Sequence, residues 1–216
     1  MICIRPFRPS KSFVRSIGAV LTGLLALGLA GVGVAHAQLS FATYDLAGTF
    51  QDVTLHGIES GDETGFSILL ADLNGDGIED VVVSARAGQG PGNVRGNLTG
   101  EVYIVFGRPA FDRDVDLFVD APDVVVYGAT ETDQLARSLA TGDLDNDGLA
   151  DLIIGAPLAD GPSDERSGAG EVYVLYGRTS WPAAIDLRNP DPNATNADVT
   201  IFGENVGDLL GSAVAT

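Results

Sequence analysis

A nine-residue acidic stretch occurs twice, as Asp-Leu-Asn-Gly-Asp-Gly-Ile-Glu-Asp at 72–80 and Asp-Leu-Asp-Asn-Asp-Gly-Leu-Ala-Asp at 143–151, 71 residues apart. The recurrence belongs to a longer repeat. Gly57-x4-Asp62-x2-Gly65-Phe66-Ser67 leads into the first copy and Gly128-x4-Asp133-x2-Ala136-Arg137-Ser138 into the second; Gly203-x4-Asp208-x2-Gly211-Ser212-Ala213 begins a third after a spacing of 75. The run from Glu101 to Arg108 returns from Glu171 to Arg178, and Val124 to Gly128 returns as Val199 to Gly203. Repetition at this period restricts the fold to an array of one supersecondary unit. Each unit offers about four short strand-like runs between Gly/Asp/Pro turns, so the expected class is all-β, built from blades.

The acidic stretches carry a ligand pattern. Oxygen side chains stand at positions 1, 3, 5 and 9, with Gly at 6: Asp72, Asn74, Asp76 and Asp80 in one copy, Asp143, Asp145, Asp147 and Asp151 in the other. Ca²⁺ takes about six to eight oxygens at about 2.3–2.6 Å, and alternating carboxylates around a sharp turn point inward together. Position 7 serves through its main-chain carbonyl, which adds Ile78 and Leu149. The twelfth position, where a helix-loop-helix site needs a bidentate Glu, is Val83 or Ile154. Both loops run instead into Val81-Val82-Val83 and Leu152-Ile153-Ile154, so each is expected to turn a β-hairpin.

Residues 1–37 look like an address. Arg5, Arg8, Lys11 and Arg15 precede an apolar, Gly-rich run from Ile17 to Val34, and Ala35-His36-Ala37 is a small-x-small site. A signal peptide cleaved between Ala37 and Gln38 is expected, with secretion to the cell surface or beyond; an uncleaved anchor is the alternative. Four of the 12 basic residues and none of the 30 acidic ones lie in this segment, leaving 8 against 30 and a formal charge of −22. That charge disfavours nucleic acid and bare anionic membrane as partners. The one cysteine, Cys3, is in the same segment, so neither a disulfide nor a Cys/His zinc site is expected after cleavage. His56, the sole histidine after residue 37, reads as an ordinary strand-end residue.

With these residues in view, the chain resembles the FG-GAP repeats of the integrin α-subunit propeller and its bacterial secreted relatives. The resemblance rests on the aromatic-Gly pairs Tyr127-Gly128 and Phe202-Gly203, the acidic loops, and Gly155-Ala156-Pro157. It covers most of 41–216 and is looser in the first repeat, where His56-Gly57 and Ser84-Ala85-Arg86 replace those pairs. It implies four-stranded propeller blades with structural Ca²⁺ in the hairpin between the first two strands, and partner-binding loops on the opposite face. About two and a half blades fit in 38–216, with repeats near 41–110, 111–182 and 183–216, the last truncated. Closed propellers use about four to eight, so the chain is expected to be part of a longer protein.

Enzymatic chemistry finds no support. Gly65-Phe66-Ser67 starts like a nucleophile elbow, but Leu69 replaces the second Gly and no plausible His partner follows. Gly88-Gln89-Gly90-Pro91-Gly92 precedes neither a helix nor a Lys, which argues against a phosphate cradle. It reads as part of a long loop, 86–100, matched by 158–170, where binding to an extracellular protein or glycan would reside. Arg86, Arg95 and Arg166 are rare positive charges there, expected to pair with neighbouring carboxylates or to meet a partner. Asn97-Leu98-Thr99 and Asn193-Ala194-Thr195 are glycosylation sequons if the host glycosylates. The expected function is calcium-dependent adhesion or ligand binding. The alternatives are an accessory part of a larger secreted hydrolase or lyase, and a structural spacer.

Overall fold

The computed structural model describes residues 2–4, 53–112, 114–188 and 196–216. The segment after Ile4 in which a signal peptide is expected, the expected cleavage site and the sequon at Asn193 lie outside the described residues. The chain divides into two compact units, Met1–Ile2 with Thr54–Thr216, and Cys3–Val53. Of the second, only Cys3, Ile4 and Val53 are described; β1 (Ile2–Ile4) is a three-residue strand.

The larger unit is all-β. One antiparallel sheet runs β3 (Thr64–Ala71), β4 (Asp80–Ala85), β5 (Glu101–Val105) and β7 (Val124–Tyr127); a second runs β8 (Ser138–Gly142), β9 (Asp151–Ala156), β10 (Glu171–Leu175) and β12 (Val199–Phe202). These are two four-stranded blades, spanning 64–127 and 138–202, a grouping offset from repeat bounds of 41–110 and 111–182. The acidic stretches turn the β3–β4 and β8–β9 hairpins as expected, with Ala71 opposite Asp80 and Gly142 opposite Asp151.

The middle strands explain why the sequence shows apolar runs instead of alternation. Every residue of β4, β5, β9 and β10 is buried, because each of these strands is covered on both faces. A single core joins Val82, Val102, Ile104 and Val126 of the first sheet to Leu152, Ile154, Tyr173 and Leu175 of the second.

A feature that the sequence reading missed ties one blade to the next. The connection from β5 to β7 contains β6 (Asp114–Asp116), which leaves its own sheet and pairs in parallel with β2 (Val53–His56). Likewise β11 (Ala184–Asp186), between β10 and β12, pairs in parallel with β7 of the first blade. Leu187 N–H donates to Tyr127 O at 3.1 Å, and Val125 N–H to Ala183 O at 3.0 Å. The inward side chains of these straps, Val115, Leu117 and Ile185, are buried.

Candidate metal centres

The two acidic loops share one hydrogen-bond plan. Position 1 caps the turn: Asp72 Oδ2 accepts Gly77 N–H at 2.8 Å and Oδ1 accepts Gly75 N–H at 2.7 Å. Asp143 repeats this toward Gly148 and Asp147, both at 3.1 Å. Position 3 accepts the amide of position 5, as Asn74 does from Asp76 at 2.9 Å and Asp145 from Asp147 at 3.1 Å. Position 5 accepts that of position 7, from Ile78 and Leu149, each at 2.8 Å. The turn needs left-handed backbone at position 6, where Gly77 and Gly148 have φ of 83° and 91°.

Position 9 does more than its spacing suggested. Asp80 and Asp151 are fully buried, and each carboxylate holds two amides from different elements. Asp80 accepts Leu73 N–H at 2.9 Å and Gly107 N–H at 2.8 Å; Asp151 accepts Leu144 N–H at 2.6 Å and Gly177 N–H at 2.8 Å. The carboxylate therefore clamps the loop to the end of the third strand. Burial pushes the Asp80 carboxyl up, opposed by its two amide partners. Each oxygen retains a lone pair, so clamp and cation ligand are compatible roles.

In the second loop, Asp143, Asp145 and Asp151 bring one carboxylate oxygen each within 4.8 Å of one another. Among the described residues this is the one such acidic cluster, and its oxygen-only donor set suits a hard cation. Asp147, exposed like Asp143 and Asp145, is not one of these three; its Oδ1 accepts Leu149 N–H. In the first loop Asn74 replaces the second carboxylate, so that loop presents Asp72, Asp76 and Asp80 with one amide oxygen.

The loops differ in their neighbours. Leu73 is fully buried, and its carbonyl accepts both Arg178 N–H at 3.0 Å and Trp181 Nε1–H at 3.1 Å from the second blade. The equivalent Leu144 is 51% exposed. The first loop is thus seated under the next blade, while the second is open on that side.

At the other end of the strands lies a buried acid–phenol network that the sequence reading did not assign. Glu101 accepts Tyr103 Oη–H at 2.7 Å and Gly90 N–H at 2.8 Å; Glu171 accepts the Tyr173 hydroxyl. Glu-x-Tyr recurs in both repeats, and residues two apart on a strand share a face, which was the available signal. Burial foremost, then Glu171, Asp160 and Asp164, pushes the Asp133 carboxyl up to about 7. The loops 86–100 and 158–170 arch over this end, each with a short turn at Pro91–Asn93 or Pro162–Asp164. Arg86 pairs with Glu63 at 2.5 Å, and Arg95 pairs with Asp186. Arg166 donates to Glu204 O at 3.2 Å. His56 ends β2 with Nε2 at 3.6 Å from Asp114.

Residues 64–105 and 135–175, which span both hairpins and the third strand of each blade, match the FG-GAP repeat model. Integrin alpha-PS5 of Drosophila melanogaster is 33% identical over 158 residues, 70% of this chain and 14% of the relative. Integrin alpha-PS2 of the same organism is 28% identical over 163 residues, 74% and 11%. Phosphatidylinositol-glycan-specific phospholipase D of Rattus norvegicus is 36% identical over 117 residues, 52% and 13%. The chain spans 11–14% of the length of these three curated relatives.

Proposed function

Because this chain carries FG-GAP repeats, arranged as all-β blades, we propose that it is a secreted calcium-binding protein whose opposite face binds a ligand, in the manner of an adhesion module. Asp143, Asp145, Asp147, the Leu149 carbonyl and Asp151 would hold one Ca²⁺. Asp72, Asn74, Asp76, the Ile78 carbonyl and Asp80 would hold another. The observation that carries the reading is the convergence of Asp143, Asp145 and Asp151 within 4.8 Å on a loop already closed by its own amides. The ion neutralises carboxylates that would otherwise repel and fixes the hairpin. The chain itself is not an enzyme in this reading, and its partner is an extracellular protein or glycan that engages the loops 86–100 and 158–170. No helix among the described residues is long and apolar enough to cross a membrane.

A second reading draws on the phospholipase D relatives: the blades would be the non-catalytic part of a larger secreted hydrolase. Both readings require the cation.

Terbium luminescence offers the test. Trp181 is the chain's only tryptophan, and its indole is hydrogen-bonded to Leu73 of the first loop. Tb³⁺ excited through the indole, at the red edge where tyrosine is silent, should give a signal that Ca²⁺ competes away. Asp76→Ala should abolish it and Asp147→Ala should preserve it. Absence of sensitised emission from the unmodified chain would overturn the assignment of the first loop.

A further inference from the structure

We propose that Asn74-Gly75, in the turn of the first acidic loop, is a modification site at which the folded chain removes its own side-chain amide, converting Asn74 to aspartate and isoaspartate. Asparagine is thermolabile because the backbone nitrogen of the following residue can attack its Cγ, and glycine, with no Cβ, lets that nitrogen approach most closely. This is the only Asn-Gly pair in the chain. The fold adds three features to it. Asn74 Oδ1 accepts Asp76 N–H at 2.9 Å, which folds the side chain back across the Gly75 peptide and polarises its carbonyl carbon. Gly75 N–H, whose proton must leave, donates to Asp72 Oδ1 at 2.7 Å, within reach for general-base transfer. That hydrogen bond lies in the peptide plane, whereas the nitrogen attacks with the electron pair perpendicular to it, so base and electrophile do not compete for one direction. Asn74 Nδ2, the leaving group, makes no hydrogen bond among the described residues, and Gly75 is exposed to the water that the reaction consumes.

The same frame recurs where the reaction cannot run, which isolates Asn74. At Asp76-Gly77 and Asp147-Gly148, the glycine N–H groups donate to Oδ2 of Asp72 and Asp143 at 2.8 and 3.1 Å, and Oδ1 of Asp76 and Asp147 accepts the amides of Ile78 and Leu149. Their side chains are carboxylates, too electron-rich to be attacked and with no ammonia to release. The other asparagines are each followed by a residue with a side chain, and the Nδ2 groups of Asn93 and Asn205 are held by Glu59 and Asp208. Gly75 itself has no easy replacement: its φ is 75°, and a Cβ there would meet Leu149 Cδ2 at 2.6 Å. The reaction balances with water as its one co-reactant. The bond from Gly75 N to Asn74 Cγ forms and the Cγ–Nδ2 bond breaks, the Gly75 proton passing by way of Asp72 to the departing NH₃ and leaving a succinimide. Water then opens the ring at Cγ to give aspartate, or at the main-chain carbonyl to give isoaspartate, whose backbone runs on through Cβ and Cγ. In a loop that holds a cation as proposed above, aspartate completes the four-carboxylate set of the second loop, whereas isoaspartate moves Asp76 out of register with Asp72.

The test follows amide loss by peptide mapping and mass spectrometry, with enzymatic methylation of isoaspartate as a second readout, on the full chain held at neutral pH in excess chelator. Asn74 should lose its amide at least tenfold faster than any other asparagine, and at least threefold faster than the same residue in a synthetic peptide of residues 70–80. Unfolding the chain in urea should bring its rate down to that of the peptide. Asp72→Asn, checked for its fold by circular dichroism, should slow the reaction at least threefold, while Asp143→Asn, the same change in the other loop, should not alter it. The proposal fails if the folded chain and the peptide react alike, if urea leaves the rate unchanged, or if folded Asp72→Asn reacts as fast as the unmodified chain. Because the chelator removes any cation, these outcomes do not depend on whether the loop takes Ca²⁺. With Ca²⁺ restored, Asn74→Asp should bind it at the first loop at least threefold more tightly than the unmodified chain; equal affinity would overturn the consequence for the loop and not the reaction.

Discussion

Replacing Asp151 by Asn would separate the two roles of the ninth loop position. The carboxylate is fully buried and accepts Leu144 N–H at 2.6 Å and Gly177 N–H at 2.8 Å, one on each oxygen. An amide is nearly isosteric but has one acceptor, so its NH₂ must face one of those donors. A buried N–H left without an acceptor costs about 1–3 kcal/mol, and here a donor–donor opposition is added, so a loss of about 2–3 kcal/mol is expected. For a chain of this size that lowers the melting temperature by roughly 4–12 °C. The melts should be run in excess chelator, where no cation contribution remains. Asp147→Ala is the comparison: this exposed carboxylate makes one local contact, with Leu149 N–H, and its loss in chelator should stay within about 0.5 kcal/mol. Coincident melts of Asp151→Asn and the unmodified chain in chelator would refute the clamp.

Packing asymmetry between the repeats gives a second prediction: Leu73→Ala should cost about 2–5 kcal/mol in denaturant titrations, while Leu144→Ala, at a half-exposed site, should cost about 0.5 kcal/mol or less. The pH dependence of stability in chelator gives a third. Asp133 titrates near 7 when folded, against an ordinary value of 3.8, so the folded chain binds more protons between those values. Stability contributed there is fully present at low pH and lost as pH rises toward 7. Asp133→Asn, whose oxygen can still accept Thr130 N–H, should flatten that slope, and an unchanged slope would contradict the assignment. Removing the cation should lower the melting temperature of the unmodified chain, because a ligand that binds only the folded state stabilises it by mass action.

The elements that position the acidic loops were legible because their signals are local. Hairpin turns, strand runs and the ligand pattern are fixed by residues a few places apart, and two copies in register removed the ambiguity of either one. The straps β6 and β11 were not legible in the same way. Val115-Asp116-Leu117 and Ile185-Asp186-Leu187 do repeat, but three-residue strands carry no periodicity, and their partners lie in a different blade. The dual role of Asp80 and Asp151 was hidden for a related reason. Spacing shows which oxygens can face a cation, whereas the amides of Gly107 and Gly177 come 27 and 26 residues later in the chain. Arg95 was expected to meet either a carboxylate or a partner, and only the fold brought it to Asp186, 91 residues away.

Calcium stoichiometry tests the central claim most directly. Calorimetric titration of the metal-free chain should give two bound Ca²⁺, with the second loop tighter because it brings four carboxylates where the first brings three and an amide. Asp147→Ala should remove the tighter site and leave one, and Asp76→Ala should remove the weaker and leave one. Absence of saturable binding, or two sites surviving in either variant, would contradict the assignment of these loops as cation centres.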